Sequence, residues 1–122
     1  MIPAFGRTFV HRLRPICDPR MVLLFGSWAK GTATVHSDVD LVAVLDAPPS
    51  PALRAEMLDA LRCVPMRVDL LIWTDRDLDL ARRDPHGIQA SVLSSAVVLY
   101  TRRTESLPGL GSGDSMEDAE RT

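Results

Sequence analysis

The amino-acid sequence predicts an α/β (α+β) domain in which helices pack on a small mixed β-sheet of three to four strands. Short apolar runs bounded by turn residues recur along the chain and have the length of buried strands. Segments with apolar residues at helical spacing lie between these runs, which is typical of layered α/β architectures. The chain has 122 residues, of which 46% are hydrophobic and 25% charged, as expected for one globular domain.

The first third of the chain contains a predicted helix and two predicted strands. Residues 5–13 carry apolar side chains at helical spacing, and Pro15 is expected to end this helix because proline cannot donate a backbone hydrogen bond. Residues 21–25 form an apolar run between a turn signal and a glycine, which predicts a buried strand. Residues 27–37 suit a short helix followed by a loop, and residues 38–45 are the second predicted strand.

A capped helix and a third strand are predicted in the middle of the chain. Ser50 is a favourable N-cap, and Pro51 is suited to the first position of a helix. This helix is expected to reach about residue 63 and to be ended by Pro65. Residues 67–73 form the third predicted strand. The residues expected on the buried face of the helix are Leu53, Met57 and Leu61.

Two short helices and a fourth strand are predicted toward the end of the folded body. Residues 74–77 resemble a capping box, with Asp77 as the acid at the third position. A second helix is expected to begin at Asp84 and Pro85, and residues 97–100 are predicted to form a strand at an edge of the sheet. The residues that this second helix is expected to bury are Ile88, Val92 and Leu93.

The composition divides the chain into a body, residues 1–103, and a tail, residues 104–122. The tail is rich in glycine and serine and contains five acidic residues and one arginine, which predicts a disordered acidic segment. The body is close to neutral, so it is not expected to bind long nucleic acids through their phosphates.

The chain lacks the sequence signals of a membrane or secreted protein. No apolar stretch is long enough to span a membrane, and the N-terminus has no signal-peptide core. The two cysteines, Cys17 and Cys63, are not in a C-x-x-C motif and are expected to be reduced, with a disulfide between them as the alternative. A soluble cytoplasmic protein is therefore expected.

Three aspartates within predicted strands suggest a metal site. Asp38 and Asp40 project to one face of the second strand because side chains alternate along a strand, and Asp69 lies inside the third. If these strands are neighbours, the three carboxylates converge, and their mutual repulsion favours a cation between them. Hard oxygen ligands suit a pair of Mg²⁺ ions, or Mn²⁺. Taken alone, an Asp-x-Asp pair is more often part of a turn or cap.

The pair Gly26 and Ser27 at the end of the first strand suggests a phosphate-binding turn. A glycine at a strand end lets the backbone approach a ligand, and the following short helix presents free N–H groups to anions. Ser27 adds a hydroxyl donor, and Lys30 is a mobile cation within reach of a triphosphate. An ordinary turn with a solvated lysine is the alternative. Trp28 and Trp73 are expected to be packing residues, with stacking on a base as the alternative.

These motifs resemble a known family. Residues 24–31 and 37–41 are similar to the signature of the MNT-type minimal nucleotidyltransferases in the DNA polymerase β superfamily, and Asp69 matches the third acid of that family. The segment 88–100 also resembles the helix and strand that end such domains. The similarity extends over residues 5–103, so it implies a polymerase-β-like nucleotidyltransferase fold for nearly the whole body.

The resemblance also implies roles for individual residues. Positions matching Asp38, Asp40 and Asp69 bind two Mg²⁺ ions and are catalytic, and the acid at Asp69 helps to deprotonate the acceptor. The residues expected to bind the nucleotide are Gly26, Ser27, Lys30 and Ser37. Many relatives carry an arginine after the glycine-serine pair, whereas this chain has Trp28, so an arginine contact to phosphate is not expected here.

The expected activity is transfer of a nucleoside monophosphate, AMP from ATP or its equivalent from another nucleoside triphosphate, to a hydroxyl acceptor. A body of this size has no second domain for a large acceptor, so the acceptor is expected on a partner protein. The resemblance implies a small helical HEPN-like toxin as that partner and an antitoxin role for this chain. The alternatives are a non-catalytic partner-binding module and an antibiotic-type small-molecule transferase completed by a homodimer; the oligomeric state is not predicted.

Overall fold

The computed structural model describes residues 4–102 and confirms the predicted fold class. The predicted acidic tail, residues 104–122, lies outside the described residues. No helix within residues 4–102 is both long and apolar enough to cross a lipid bilayer. The helices are α1 (Ala4–Cys17), α2 (Ser27–Lys30), α3 (Pro51–Ala60), α4 (Asp75–Arg83) and α5 (Ile88–Ser95), with a 3-10 turn at Leu61–Cys63. The strands are β1 (Met21–Phe25), β2 (Val39–Val44), β3 (Val68–Trp73) and β4 (Val97–Thr101).

The four strands form one mixed sheet in the order β3-β2-β1-β4. Strand β1 pairs antiparallel with both β2 and β4, whereas β2 and β3 are parallel. The connection from β2 to β3 contains α3, as a parallel pairing requires a long crossover. Strand β4 lies at an edge, as predicted, and β3 forms the opposite edge.

Each face of the sheet is covered by its own apolar core. On one face, Phe9 and Leu13 of α1 and Met57 of α3 are fully buried against β1 and β2. On the other face, α4 and α5 pack on the half of the sheet that contains Val44 and Trp73. The alternation predicted for the second strand is therefore confirmed. The residues on its first buried face are Val39, Leu41, Ala43 and Leu45.

Both helix caps that the sequence predicts are confirmed. The Ser50 hydroxyl accepts a hydrogen bond from the backbone N–H of Leu53 at 3.1 Å, with Pro51 at the start of α3. The backbone N–H of Thr74 donates to Asp77 Oδ2 at 3.0 Å at the start of α4. These contacts satisfy donors that a helix start would otherwise leave unpaired.

The prediction that Pro15 ends the first helix is wrong, because α1 continues to Cys17. Proline removes only one intrahelical donor, and in the last turn this loss is small beside the burial of Leu13. The i to i−4 pattern still holds at the helix end, since the N–H of Asp18 donates to the Arg14 carbonyl at 3.1 Å. The helix ends where Asp18 adopts a left-handed conformation with a φ of 44°.

The prediction for the last helix is wrong at its beginning. Residues 84–87 form a turn in which the Gly87 N–H donates to the Asp84 carbonyl at 3.0 Å, so α5 begins only at Ile88. Ile88 is 77% exposed because it belongs to the first turn of the shortened helix. Val92 and Leu93 pack against the second core, as predicted.

Cys17 is a free thiol in the last turn of α1. Its sulfur donates to the Leu13 carbonyl at 3.4 Å, and burial, together with the nearby Asp18, raises the Cys17 pKa to about 11. A thiol with such a pKa is almost entirely protonated at neutral pH, so Cys17 is an unreactive structural residue.

Two adjacent residues of α3 test the first core. Met57 is fully buried, and Met57→Ala should lower the free energy of unfolding by about 2–5 kcal/mol because it leaves a cavity. Leu58 is 39% exposed, and Leu58→Ala is the matched control with an expected loss below about 1 kcal/mol. Urea denaturation followed by circular dichroism measures both. Equal losses for the two variants would contradict this packing.

Candidate active site

The parallel pairing of β2 and β3 brings two of the three predicted catalytic acids side by side. Asp40 is the direct register partner of Asp69, and both project to the same face of the sheet. Asp38 lies one residue before β2 and two residues from Asp40. The predicted neighbourhood of the two acid-bearing strands is therefore confirmed.

The acids differ in their exposure to solvent. Asp38 is exposed, Asp40 is half-buried and the Asp69 side chain is 53% exposed. The guanidinium of Arg67 is 3.9 Å from Asp69 Oδ1, a weak contact between exposed groups. This end of the sheet is thus open to solvent and to a ligand.

The surroundings of Asp40 disfavour its charged form. Burial raises its pKa, and the nearby carboxylates of Asp69 and Asp38 raise it further. A side-chain hydrogen bond with Asp69 also favours the protonated form of Asp40. The three acids therefore interact, and a cation near Asp40 would relieve their repulsion.

Gly26 packs directly against the carboxylate of Asp40. It follows Phe25, the β1 residue in register with Asp40, and adopts a φ of 75° and a ψ of −154°, a region that essentially only glycine enters. A Cβ atom at this position would overlap Asp40 Oδ2. The turn after β1 and the acid on β2 are therefore in contact, which the sequence motif did not show.

The turn itself is the short helix α2. The Lys30 N–H donates to the Gly26 carbonyl at 3.1 Å, the Thr32 N–H donates to the Ser27 carbonyl at 3.0 Å, and Gly31 ends the helix with a φ of 79°. The Lys30 side chain is exposed. Within residues 4–102 the half-buried Ser27 hydroxyl has no hydrogen-bond partner, so its donor is available to a ligand.

Ser37 connects this turn to the acids. Its carbonyl accepts a hydrogen bond from the Trp28 indole at 3.4 Å, and its hydroxyl accepts one from the Thr34 N–H at 2.9 Å. Trp28 was expected to pack, with stacking on a base as the alternative, and it does pack against Phe5, but its bond to Ser37 was not predicted. No sequence pattern predicts a hydrogen bond between an indole and a backbone carbonyl nine residues away.

The donor chemistry at this end of the sheet suits a hard divalent cation. Asp40 and Asp69 on two strands and Asp38 just before β2 provide only oxygen ligands, the type that Mg²⁺ prefers. Within the described residues, however, no three acidic, histidine or cysteine side chains are grouped closely enough to hold an ion as they lie. Asp38 and Asp69 are exposed enough to rotate toward Asp40, so the residues fit a metal site that ion binding would complete.

The contact between Gly26 and Asp40 can be tested with a pair of glycine variants. Gly26→Ala should lower the free energy of unfolding by about 3 kcal/mol or more, because it adds backbone strain and a collision with Asp40. Gly31→Ala should lower the free energy of unfolding by only about 1–2 kcal/mol. It adds the backbone strain of a left-handed residue, but its Cβ meets no atom within 4 Å. Denaturant titration measures both, and equal costs would show that Asp40 does not limit position 26.

The strain on Asp40 predicts a pH-dependent stability. A raised pKa means that the charged Asp40 carboxylate destabilises the folded state. This cost is present when the pH is above the Asp40 pKa of the folded protein. It disappears at low pH, where Asp40 is protonated in both the folded and the unfolded protein. In the presence of a chelator, Asp40→Asn should therefore be more stable than the wild type at pH 7, and the gain should vanish as the pH falls below 3.8, the ordinary value for aspartate.

Denaturation midpoints between pH 3 and pH 8 measure this difference. The control is Asp59→Asn, at an exposed position of α3 away from the acids, which should show no such gain. A lower stability of Asp40→Asn at pH 7 would contradict the repulsion inferred here.

Solved structures that share the fold include the three toxin–antitoxin complexes described next. A comparison with curated proteins finds no match. A toxin–antitoxin structure with AMP-PNP has a TM-score of 0.60 and 20% identity, covering 81% of this chain and 75% of that chain. A mutant of the toxin–antitoxin MntA-HpeT has a TM-score of 0.59 and 18% identity, with the same coverage of 81% and 75%. The tri-AMPylated Shewanella oneidensis HEPN toxin in complex with MNT antitoxin has a TM-score of 0.55 and 16% identity, covering 95% and 84%.

A family comparison is more direct than these structural similarities, which at such identities show the fold alone. The family described as polymerase beta, nucleotidyltransferase matches residues 11–105, a range that contains every predicted site residue. The resemblance found in the sequence motifs is thereby confirmed. This protein is a nucleotidyltransferase of the polymerase β family.

Proposed function

We propose that the protein transfers AMP from ATP, in a metal-dependent reaction, to a hydroxyl group of a partner protein, and that it is the antitoxin of a HEPN/MNT-type pair. The observation that carries this proposal is the register pairing of Asp40 with Asp69 beneath the Gly26 turn. This arrangement combines a cation-attracting acid cluster with a backbone turn suited to phosphate. Another nucleoside triphosphate could replace ATP without any change in this chemistry.

Asp38, Asp40 and Asp69 would hold two divalent cations. When bound, Mg²⁺ or Mn²⁺ would neutralise the carboxylates, polarise the α-phosphate and stabilise the leaving pyrophosphate. The raised pKa of Asp40 supports this assignment, since repulsion among the acids is the force that a cation relieves.

The turn after β1 would hold the triphosphate. Gly26 keeps the backbone free of a side chain where the phosphates approach, and the Ser27 hydroxyl donates a hydrogen bond to a phosphate oxygen. Lys30 is exposed and supplies a mobile positive charge. Ser37 keeps the loop before Asp38 in place through its bonds to Thr34 and Trp28.

The transfer itself needs a base for the acceptor hydroxyl, and Asp69 is suited to this role. The hydroxyl oxygen forms a bond to the α-phosphorus, the bond from that phosphorus to the bridging oxygen breaks, and pyrophosphate leaves. The hydroxyl proton passes to the Asp69 carboxylate, which is half-exposed on the edge strand β3 and so accessible to a large acceptor.

A partner protein is the most suitable acceptor for this compact body. The sheet and its two layers of helices occupy residues 4–102, and no second domain for a large acceptor lies within them. Among the structurally similar complexes, one contains AMP-PNP and another an AMPylated HEPN toxin with its MNT antitoxin. These complexes support a hydroxyl-bearing HEPN toxin as the acceptor.

Incubation with radiolabelled ATP, Mg²⁺ and the protein encoded beside this chain tests the proposal. We expect label on the partner, and we expect Asp38→Asn and Asp69→Asn to reduce its rate of appearance by about 100-fold or more. The control Asp59→Asn should retain the wild-type rate, since this exposed residue of α3 lies away from the acids.

The same experiment separates the alternative functions. Inhibition of the partner that survives both substitutions, without label, would identify a non-catalytic binding module. Label found only on small molecules would identify an antibiotic-type transferase. Either result would overturn the proposed function.

A further inference from the structure

We propose that Trp28 is a positioning residue, whose indole N–H joins the phosphate-binding turn to the loop that carries Asp38. This inference deepens the proposed function and rests on it for its effect on nucleotide binding. Trp28 affects nucleotide binding through its bond to Ser37 and not through direct contact with phosphate.

The indole is fixed from its other side by α1. The Trp28 ring meets the Phe5 ring edge-on, with centroids 5.0 Å apart and an interplanar angle of 87°, and Phe5 in turn contacts Phe9 at 5.6 Å. Phe9 is fully buried in the first core. Trp28 therefore extends a continuous aromatic contact from the core to the turn, and such pairs hold a ring in a defined orientation.

The loop that Trp28 reaches is bonded mainly to itself. The Thr34 N–H donates to the Ser37 hydroxyl at 2.9 Å, the Ser37 N–H donates to the Thr34 carbonyl at 3.0 Å, and the His36 N–H donates to Thr34 Oγ1 at 3.2 Å. Val35, at the tip, is 81% exposed and provides no packing. The loop thus has internal order but little attachment to the body.

The bond from Trp28 supplies that attachment. Within residues 4–102, no other hydrogen bond joins residues 33–37 to a residue outside that stretch. The distance of 3.4 Å is longer than the usual ~2.9 Å, so the bond is weak and its effect is modest. The bond nevertheless influences the position of Asp38, because Ser37 directly precedes it.

The chemistry of the indole determines what kind of effect to expect. An indole is neutral and has one donor, which Ser37 already occupies, so it cannot neutralise a phosphate. Its contribution is to raise the fraction of molecules in which the turn and Asp38 are correctly spaced before ligand arrives. When fewer molecules have this spacing, the apparent affinity for nucleotide falls. Once nucleotide and cations are bound, they hold the turn and Asp38 in place, so the rate of the chemical step changes little.

The test compares Trp28→Phe with Trp73→Phe in the full chain. Trp28→Phe keeps an aromatic ring against Phe5 but removes the N–H, and it should raise the Kd for AMP-PNP with Mg²⁺ and the KM for ATP by about three- to tenfold. The kcat should stay within about twofold. Trp73→Phe makes the same chemical change in the second core, so it should lower thermal stability without changing either constant.

Hydrogen exchange provides a readout that does not depend on nucleotide. In Trp28→Phe, the amides of residues 31–38 should exchange about three- to tenfold faster than in the wild type and in Trp73→Phe. If Trp28→Phe does not fold, Phe5→Leu should give the same pattern, because it removes the ring that holds the indole. Unchanged exchange, an unchanged Kd, or a loss in kcat alone would overturn the inference.

The two proposals fail in different ways. A wild-type protein that neither binds nor transfers nucleotide, but whose loop exchanges faster in Trp28→Phe, would overturn the proposed function and support the link between Trp28 and Ser37. A wild-type protein that transfers nucleotide normally, with Trp28→Phe indistinguishable from it, would overturn only the role of Trp28.

Discussion

The pairing of Asp40 with Asp69 across two parallel strands is the contact on which the site depends. Two carboxylates in register at the end of a sheet repel one another, and the half-buried position of Asp40 adds a desolvation cost. The fold tolerates this cost because Val39 and Leu41, which alternate with the acids, are fully buried in the first core, and Val42 and Val44 are buried in the second. The same strand thus contributes to both cores and carries an acid of the candidate site.

Much of this arrangement follows from local patterns in the sequence. The apolar run at Met21–Phe25 and the alternation after Asp38 specify strands and faces, because a pleated strand has a fixed period of two. The caps at Ser50 and Thr74 are equally local, since they involve residues three apart. The acid and glycine motifs were therefore sufficient to identify the family and to predict that the two acid-bearing strands are neighbours.

The features that the sequence did not reveal depend on contacts between distant parts of the chain. Whether α1 ends at Pro15 is decided by the burial of Leu13 against the sheet, which no local rule includes. The exposure of Ile88 follows from where the preceding turn directs α5. The fit of Gly26 against Asp40 likewise appears only when two strands are placed together.

The mixed sheet also has a consequence for the order in which the protein folds. Strands β1 and β2 are antiparallel neighbours separated by a short segment, so the glycine turn and Asp40 can meet early, through a local loop closure. Strand β3 can join only after the crossover through α3 has been ordered, and such non-local pairing is slow. We therefore expect Asp69 to join Asp40 only after the glycine turn and Asp40 have met, so that the three predicted acids come together after the hydrophobic core has begun to form.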